Sequence, residues 1–255
     1  MVMYKSFLGG ICLLLAPVGV AIASQVVTIF GDKSYPPYSY IEDGEAKGIY
    51  VEVFREAFER MPDYSVNFKM IPWRRMVKGV KSGEYVAFFP PYYSDERTSW
   101  INYSTPILAE QVVVFGKKEK LLDKVKWPED FYGSTIGLNN GYGIEVMGGK
   151  VFLQATQNGT ITLKHAGDNV TNLKMLEKNR IDFYINDKLT DISQYEGLAK
   201  GVVAADNFSY LGFTKKTENF PFLPDLITKF NAVIEQMKSE GFIKNMANKY
   251  TKEYL

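Results

Sequence analysis

The chain has 255 residues, room for one or two domains at about 150 residues each. Hydrophobic residues make up 46% and charged residues 23%, which excludes wholesale disorder. Thirty Lys+Arg against 29 Asp+Glu exclude a strongly basic nucleic-acid binder and an acidic tail protein.

Residues 1–23 are not expected to belong to the fold. Lys5 is the only charge there, Phe7 to Leu15 is apolar, and small residues end the stretch at Ala21-Ile22-Ala23. That order describes a secretory signal peptide cleaved near Ala23. A retained membrane anchor fits worse, because Pro17 and four glycines before Asp32 interrupt a spanning helix. The only cysteine, Cys12, lies in this leader. The exported chain therefore offers no disulfide, no cysteine nucleophile and no thiolate metal site.

Strand and helix signals alternate from there. Val26 to Phe30 reads as a strand and Lys33 to Tyr40 as a Pro-rich loop. Val53, Phe54, Ala57, Phe58 and Met61 recur at helical spacing up to Pro62. Val66 to Ile71 is a strand, Trp73 to Ser82 a helix closed by Gly83, and Tyr85 to Phe89 a strand stopped by Pro90-Pro91. Ile107 to Phe115 is a long apolar strand. A charged connector, Gly116 to Lys126, opens a second unit. Thr135 to Leu138 is a strand running into Asn139-Asn140-Gly141-Tyr142-Gly143. Thr160 to Ala166 is another strand, Asp168 caps a helix, and Ile181 to Ile185 is a strand ending at Asn186-Asp187. Val202 to Phe213 is extended, and two helices finish the chain. The alternation predicts an α/β fold with mostly parallel sheets, in two lobes joined by two crossings.

The sequence narrows the chemistry. His165, the only histidine, lies on a strand, which leaves no Ser-His-Asp set; no phosphate loop of the Walker type and no metal-ligand cluster is present. No cofactor is expected. Gly141-Tyr142-Gly143, between a strand and a helix, can aim backbone N–H groups at an anion or be an ordinary tight turn. Tyr35, Trp73, Tyr92 and Tyr142 fall at strand ends, where open α/β sheets bind ligands, although part of such a set only packs. Arg97, in Ser94-Asp95-Glu96-Arg97, can hold a carboxylate by two parallel hydrogen bonds or pair with Asp95 or Glu96. At least one of Arg74 and Arg75 should face solvent. Asp187 can take an ammonium group or cap the following segment.

These pieces, in order, resemble the periplasmic solute-binding proteins of polar amino-acid ABC importers, the type II "Venus flytrap" family. The marks are Gly31-Asp32-x-x-Tyr35-Pro36-Pro37-Tyr38, Lys47-Gly48-Ile49-Tyr50-Val51-Glu52-Val53, and Asp95-Glu96-Arg97 followed by Tyr103-Ser104-Thr105-Pro106. Asn140-Gly141-Tyr142-Gly143, Arg180 to Asp187 and Gly241-Phe242-Ile243 follow. The resemblance implies a two-lobed fold, with lobe 1 at 24–115 plus 211–255 and lobe 2 at 116–210. Hinges would lie at Val112 to Gly116 and about Ser209 to Phe213.

It also implies roles. Arg97 would clamp a ligand carboxylate, Asp187 would take an ammonium, and Tyr35 and Trp73 would form walls. Tyr142 and Gly143 would supply backbone N–H groups, and Tyr92 would enter the pocket. One segment departs from the family: Pro90-Pro91-Tyr92 replaces small hydroxyl residues and removes two backbone donors. A smaller pocket or a different carboxylate is expected from it. The implied protein is non-enzymatic, periplasmic and monomeric, and it delivers an amino acid or small carboxylate to an inner-membrane ABC permease. A flytrap-derived dehydratase using Glu145, Asp168 or Asp187, or a partner of a membrane sensor, are the alternatives.

Overall fold

The structure, a computed structural model, describes residues 24–253. The expected leader, with Cys12, lies outside the described residues.

The first unit opens with β1 (Gln25–Asp32), the short strands β2 (Ser34–Tyr35), β3 (Ser39–Glu42) and β4 (Glu45–Lys47), and α1 (Ile49–Glu59). It continues through β5 (Tyr64–Ile71), α2 (Trp73–Ser82), β6 (Ala87–Phe89) and β7 (Ile101–Tyr103). The segment expected as a Pro-rich loop thus carries β2 and β3, which form a small antiparallel sheet with β4. The second unit holds β8 (Leu108–Lys117), α3 (Lys118–Leu121), β9 (Thr135–Asn139), α4 (Ile144–Gln157), β10 (Thr162–Ala166), α5 (Asn169–Glu177), β11 (Phe183–Asp187) and β12 (Leu198–Ser209). The chain then returns as β13 (Gly212–Thr214) and ends in α6 (Leu223–Ser239) and α7 (Phe242–Glu253).

Two five-stranded sheets result, in the orders β5-β1-β6-β13-β7 and β10-β9-β11-β8-β12. Their inner strands, such as β6, β8, β9 and β11, are buried on both faces, which explains their largely apolar runs, while the edge strands β5, β10 and β12 are partly exposed. In β1, Val27 and Ile29 enter the core with α1 and α6, while Phe30 enters the core with α2. In β8, Val112 and Val114 pack with α4, while Val113 and Phe115 pack with α5.

The sheets are mixed rather than mostly parallel. Every antiparallel pairing in the two large sheets involves β8 or β13, the strands that carry the chain from one unit to the other. A strand arriving from the other unit needs no helical crossover, so it can run against its neighbours.

The crossings are residues 104–107 and 210–211. They lie side by side: the Ser104 N–H donates to the Leu211 carbonyl at 2.9 Å, and the Leu211 N–H to Ser104 Oγ at 3.0 Å. The first crossing therefore comes before Val112–Gly116. Those residues are paired with β11 on one side and β12 on the other, so they belong inside the second sheet. A division after residue 115 would cut β8.

Candidate functional site

A small cavity opens between the two sheets, at strand ends. Asp32, Tyr35, Trp73, Pro90, Tyr92 and Arg97 line it from the first unit; Tyr142, Gly143, Val146 and Met147 line it from the second. It thus brings together Tyr35, Trp73, Tyr92, Arg97, Tyr142 and Gly143, and adds Asp32.

Arg97 sits in a 3-10 turn, Glu96–Ser99, just beyond β6. It is 8% exposed, and burial pulls its pKa below the ordinary guanidinium value. Its guanidinium stands 5.5 Å from the centre of the Trp73 ring and makes a long 3.5 Å contact to the Tyr92 carbonyl. Among the described residues it forms no ion pair with Asp95 or Glu96, both of which are exposed. Arg74 and Arg75 are both exposed.

Trp73 begins α2, and its indole N–H donates to the Gly141 carbonyl at 3.0 Å. Gly141 has a φ of +82°, and a Cβ there would stand 2.8 Å from Arg74 Cγ and 3.3 Å from Trp73 Cδ1. Only glycine allows this approach between the units without strain. Gly143 caps α4 at its N-terminus, with the cavity beside it. The turn therefore faces the cavity, and the free N–H groups of a helix start favour an anion there.

Asp187 does not line the cavity. It ends β11, 1% exposed, and its Oδ1 accepts from the Tyr38 hydroxyl at 2.8 Å and the Leu189 N–H at 2.7 Å. Its Oδ2 is buried without a partner. Tyr38 stacks on Tyr35, whose ring does line the cavity.

A second buried carboxylate, Glu110 of β8, stands in a socket of tyrosines. Its oxygens accept from Tyr50, from Tyr92 at 2.7 Å and from Tyr35 at 3.2 Å. The three tyrosines belong to the first unit and the carboxylate to the second. Desolvation pushes the pKa of Glu110 up against the pull of these hydroxyls. Asp187 is pushed up by burial and then by the Glu110 charge.

Asp32 ends β1 and is 6% exposed. Its Oδ1 accepts from the Ser34 N–H at 3.0 Å, and burial raises its pKa to about 6. It also lines an outer cavity together with Trp73, Tyr142, Asn140 and Asp168.

Asp32 and Glu110 were missed as site residues, although the sequence held signals for both. Asp32 stands at the carboxyl end of a strand, and Glu110 is the one acid in an apolar run, in phase with the inward-facing Val112 and Val114. His165 is exposed on β10, away from either cavity's lining. The described residues contain no cluster of His, Cys, Asp and Glu able to hold a metal.

Residues 27–253 match the family described as bacterial extracellular solute-binding proteins, family 3. A probable amino-acid-binding protein of Bacillus subtilis, YxeM, is 23% identical over 87% of this chain and 81% of its own length. A probable amino-acid ABC transporter-binding protein of Haemophilus influenzae is 25% identical over 88% of this chain and 84% of its own. Among solved structures, a histidine kinase sensor domain similar to periplasmic binding proteins shares the fold. Its TM-score is 0.75 and its identity 18%, over 89% of this chain and 96% of that one.

Proposed function

Because the chain belongs to family 3 of the bacterial extracellular solute-binding proteins, we propose that it captures a small carboxylate-bearing ligand, an amino acid or a relative, for delivery to an ABC importer. The observation that carries this reading is Arg97: a buried guanidinium with no carboxylate partner, in a cavity walled by both units. A desolvated charge without a counter-ion costs several kcal/mol in effective terms. A ligand carboxylate offsets that cost with two charge-assisted hydrogen bonds.

Capture follows from the two-lobed fold. A ligand touching Arg97 on one lobe and Tyr142-Gly143 on the other favours the closed form through its differential contacts. The lobe limits implied by the crossings are 24–106 with 211–253, and 107–210. Export to the periplasm and partnership with an inner-membrane permease belong to this proposal.

The three acids expected of a dehydratase are engaged or placed elsewhere, which favours binding over turnover by them; Asp32, which does line the cavity, is not among them. Asp168 caps α5 by accepting the Thr171 N–H, Asp187 is held by Tyr38 and Leu189, and Glu145 lies in a separate outer groove. A dehydratase would need one of them free beside Arg97.

Calorimetry with a panel of amino acids and small carboxylates tests the reading. Arg97→Ala should weaken binding of the ligand it identifies by about tenfold or more, the share of a charge-assisted clamp. Unchanged affinity would remove Arg97 from the site.

A further inference from the structure

Arg97 is held by oxygen atoms that carry no formal charge. Its guanidinium donates to the Tyr103 hydroxyl and makes the long 3.5 Å contact to the Tyr92 carbonyl. The same hydroxyl donates to the Tyr92 carbonyl at 3.2 Å and accepts from the Ser94 N–H at 3.0 Å. Guanidinium, hydroxyl and carbonyl thus close a triangle beside the interlobe cavity. A phenol offers one donor and two acceptor sites, and Tyr103 fills all of them.

Tyr103 grips the clamp from both ends. Ser94 opens the turn that carries Arg97, and its carbonyl accepts from the Arg97 backbone N–H at 3.0 Å. The hydroxyl therefore fixes the backbone from which the side chain departs and, through the guanidinium, its far end. Tyr103 is itself anchored. It ends β7 opposite Gly212 of β13, and its ring packs on Tyr93 at 5.2 Å and edge-on to Tyr210 at 5.0 Å between centres. A side chain locked by packing in this way can hold another to the tolerance a binding geometry needs.

The neutrality of the acceptors matters. An acid in their place would compete with a ligand carboxylate for the guanidinium. Tyr103 and the Tyr92 carbonyl orient the cation without cancelling its charge, and a guanidinium has more N–H donors than these acceptors use. Burial pulls the Arg97 pKa down, and the Tyr103 contact works against that pull. Tyr103 is not among the residues lining the cavity, so it reaches a ligand only through Arg97.

We propose that Tyr103 is the positioning residue of the carboxylate clamp: its hydroxyl orders Arg97 before the ligand arrives and leaves the charge free for it. This rests on the capture reading above and adds to it the residue that sets Arg97. Ordering in advance spares the ligand the cost of immobilising a long side chain.

The test uses the mature protein, acetate as the minimal carboxylate probe, and NMR of the arginine side chains. The Arg97 signals are assigned by their loss in Arg97→Lys. Tyr103→Phe keeps the ring contacts and removes the hydroxyl. In it the ligand-free Arg97 side-chain N–H groups should exchange with water about fivefold or more faster, while those of Arg55 and Arg60 stay unchanged. Acetate affinity, read from the Gly143 backbone amide, should fall about fivefold. In an Arg97→Ala background the same change should have no further effect. Melting curves establish that each variant is folded, and Tyr103→Leu replaces Tyr103→Phe if that variant is not.

Two results would overturn the assignment: Arg97 equally protected in wild type and Tyr103→Phe, or the same loss of acetate affinity from Tyr103→Phe with and without Arg97. Either would confine the hydroxyl to bracing Ser94 and Tyr92. Failure of the capture reading itself looks different. Acetate would leave Gly143 unmoved or bind Arg97→Ala as tightly as wild type, and the ligand-free Arg97 signals would still decide the role of Tyr103.

Discussion

The indole N–H of Trp73 and the carbonyl of Gly141 are joined at 3.0 Å, a direct bond from α2 of one lobe to the turn after β9 of the other. It requires no ligand, so it stabilises the closed arrangement by itself. Trp73→Phe keeps an aromatic ring against Arg97 and Tyr142 but removes the donor. A neutral hydrogen bond contributes about 1 kcal/mol, so the ligand-free closed population should fall about fivefold relative to the open one. Fluorescence transfer between labels on the two lobes measures it. An unchanged distance distribution would mean that the bond contributes nothing to closure.

Asp32 should make stability depend on pH in a specific direction. Its folded pKa, about 6, lies above the ordinary 3.8, so the folded state keeps its proton over that interval and the unfolded state does not. The contribution is complete below about pH 3.8 and is lost as pH rises through about 6. The full difference is about 3 kcal/mol, an upper figure because a bound cation or water at the site would reduce it. The charged or titratable groups acting on Asp32 are Lys33, Asp168 and Tyr142, with Lys33 opposing the rise and Asp168 adding to it. Denaturant unfolding of wild type and Asp32→Asn at pH 4 and pH 7 isolates the effect. The gap between the two proteins should shift in favour of the variant as pH rises. A gap independent of pH would place Asp32 in water rather than in the cavity.

Much of the fold was legible because each lobe follows a period that sequence carries. Trp73 to Ser82 formed the expected helix, ended by Gly83 with φ of +80°, and Asp168 capped α5 as its position before the run suggested. The direction of β8 and β13 was not legible. A strand's residues encode which faces are buried, and both faces of β8 are, but not which way its neighbours run. The crossing was misplaced for the same reason: Val112 to Gly116 read as apolar strand whether it joined lobes or lay inside one.

In the site, the ring positions and Arg97 could be read from strand ends. The state of Asp187 could not. Its role depends on Tyr38, 149 positions away, whose hydroxyl occupies the acid. Pairings across the cleft are tertiary, and no local pattern announces them. The same holds for Glu110, whose tyrosine partners lie 18, 60 and 75 positions away.

Glu110 therefore offers a sharp test of what holds the lobes together near the crossings. Replacing it by Ala leaves the hydroxyls of Tyr35, Tyr50 and Tyr92 without their shared acceptor, and an unsatisfied buried polar group costs about 1–3 kcal/mol. Partial repair among the hydroxyls is available, since Tyr35 and Tyr92 already touch at 3.0 Å and Tyr50 also bonds Ser209. Glu110→Ala should thus destabilise by about 3–5 kcal/mol, in the range for breaking a buried charged network. Glu110→Gln keeps a carbonyl acceptor and removes a desolvated charge, so it should cost clearly less. It should also lower the pKa of Asp187, because the Glu110 charge is the second cause of its rise. In both Glu110 and Asp187 the folded pKa is raised, so their stabilising share is present in acid and lost as pH rises. Glu110→Gln should accordingly flatten the fall of stability between acid and neutral pH, measured by denaturant unfolding across that range. Equal losses for the Ala and Gln variants, with an unaltered pH profile, would show that Glu110 acts only by filling space.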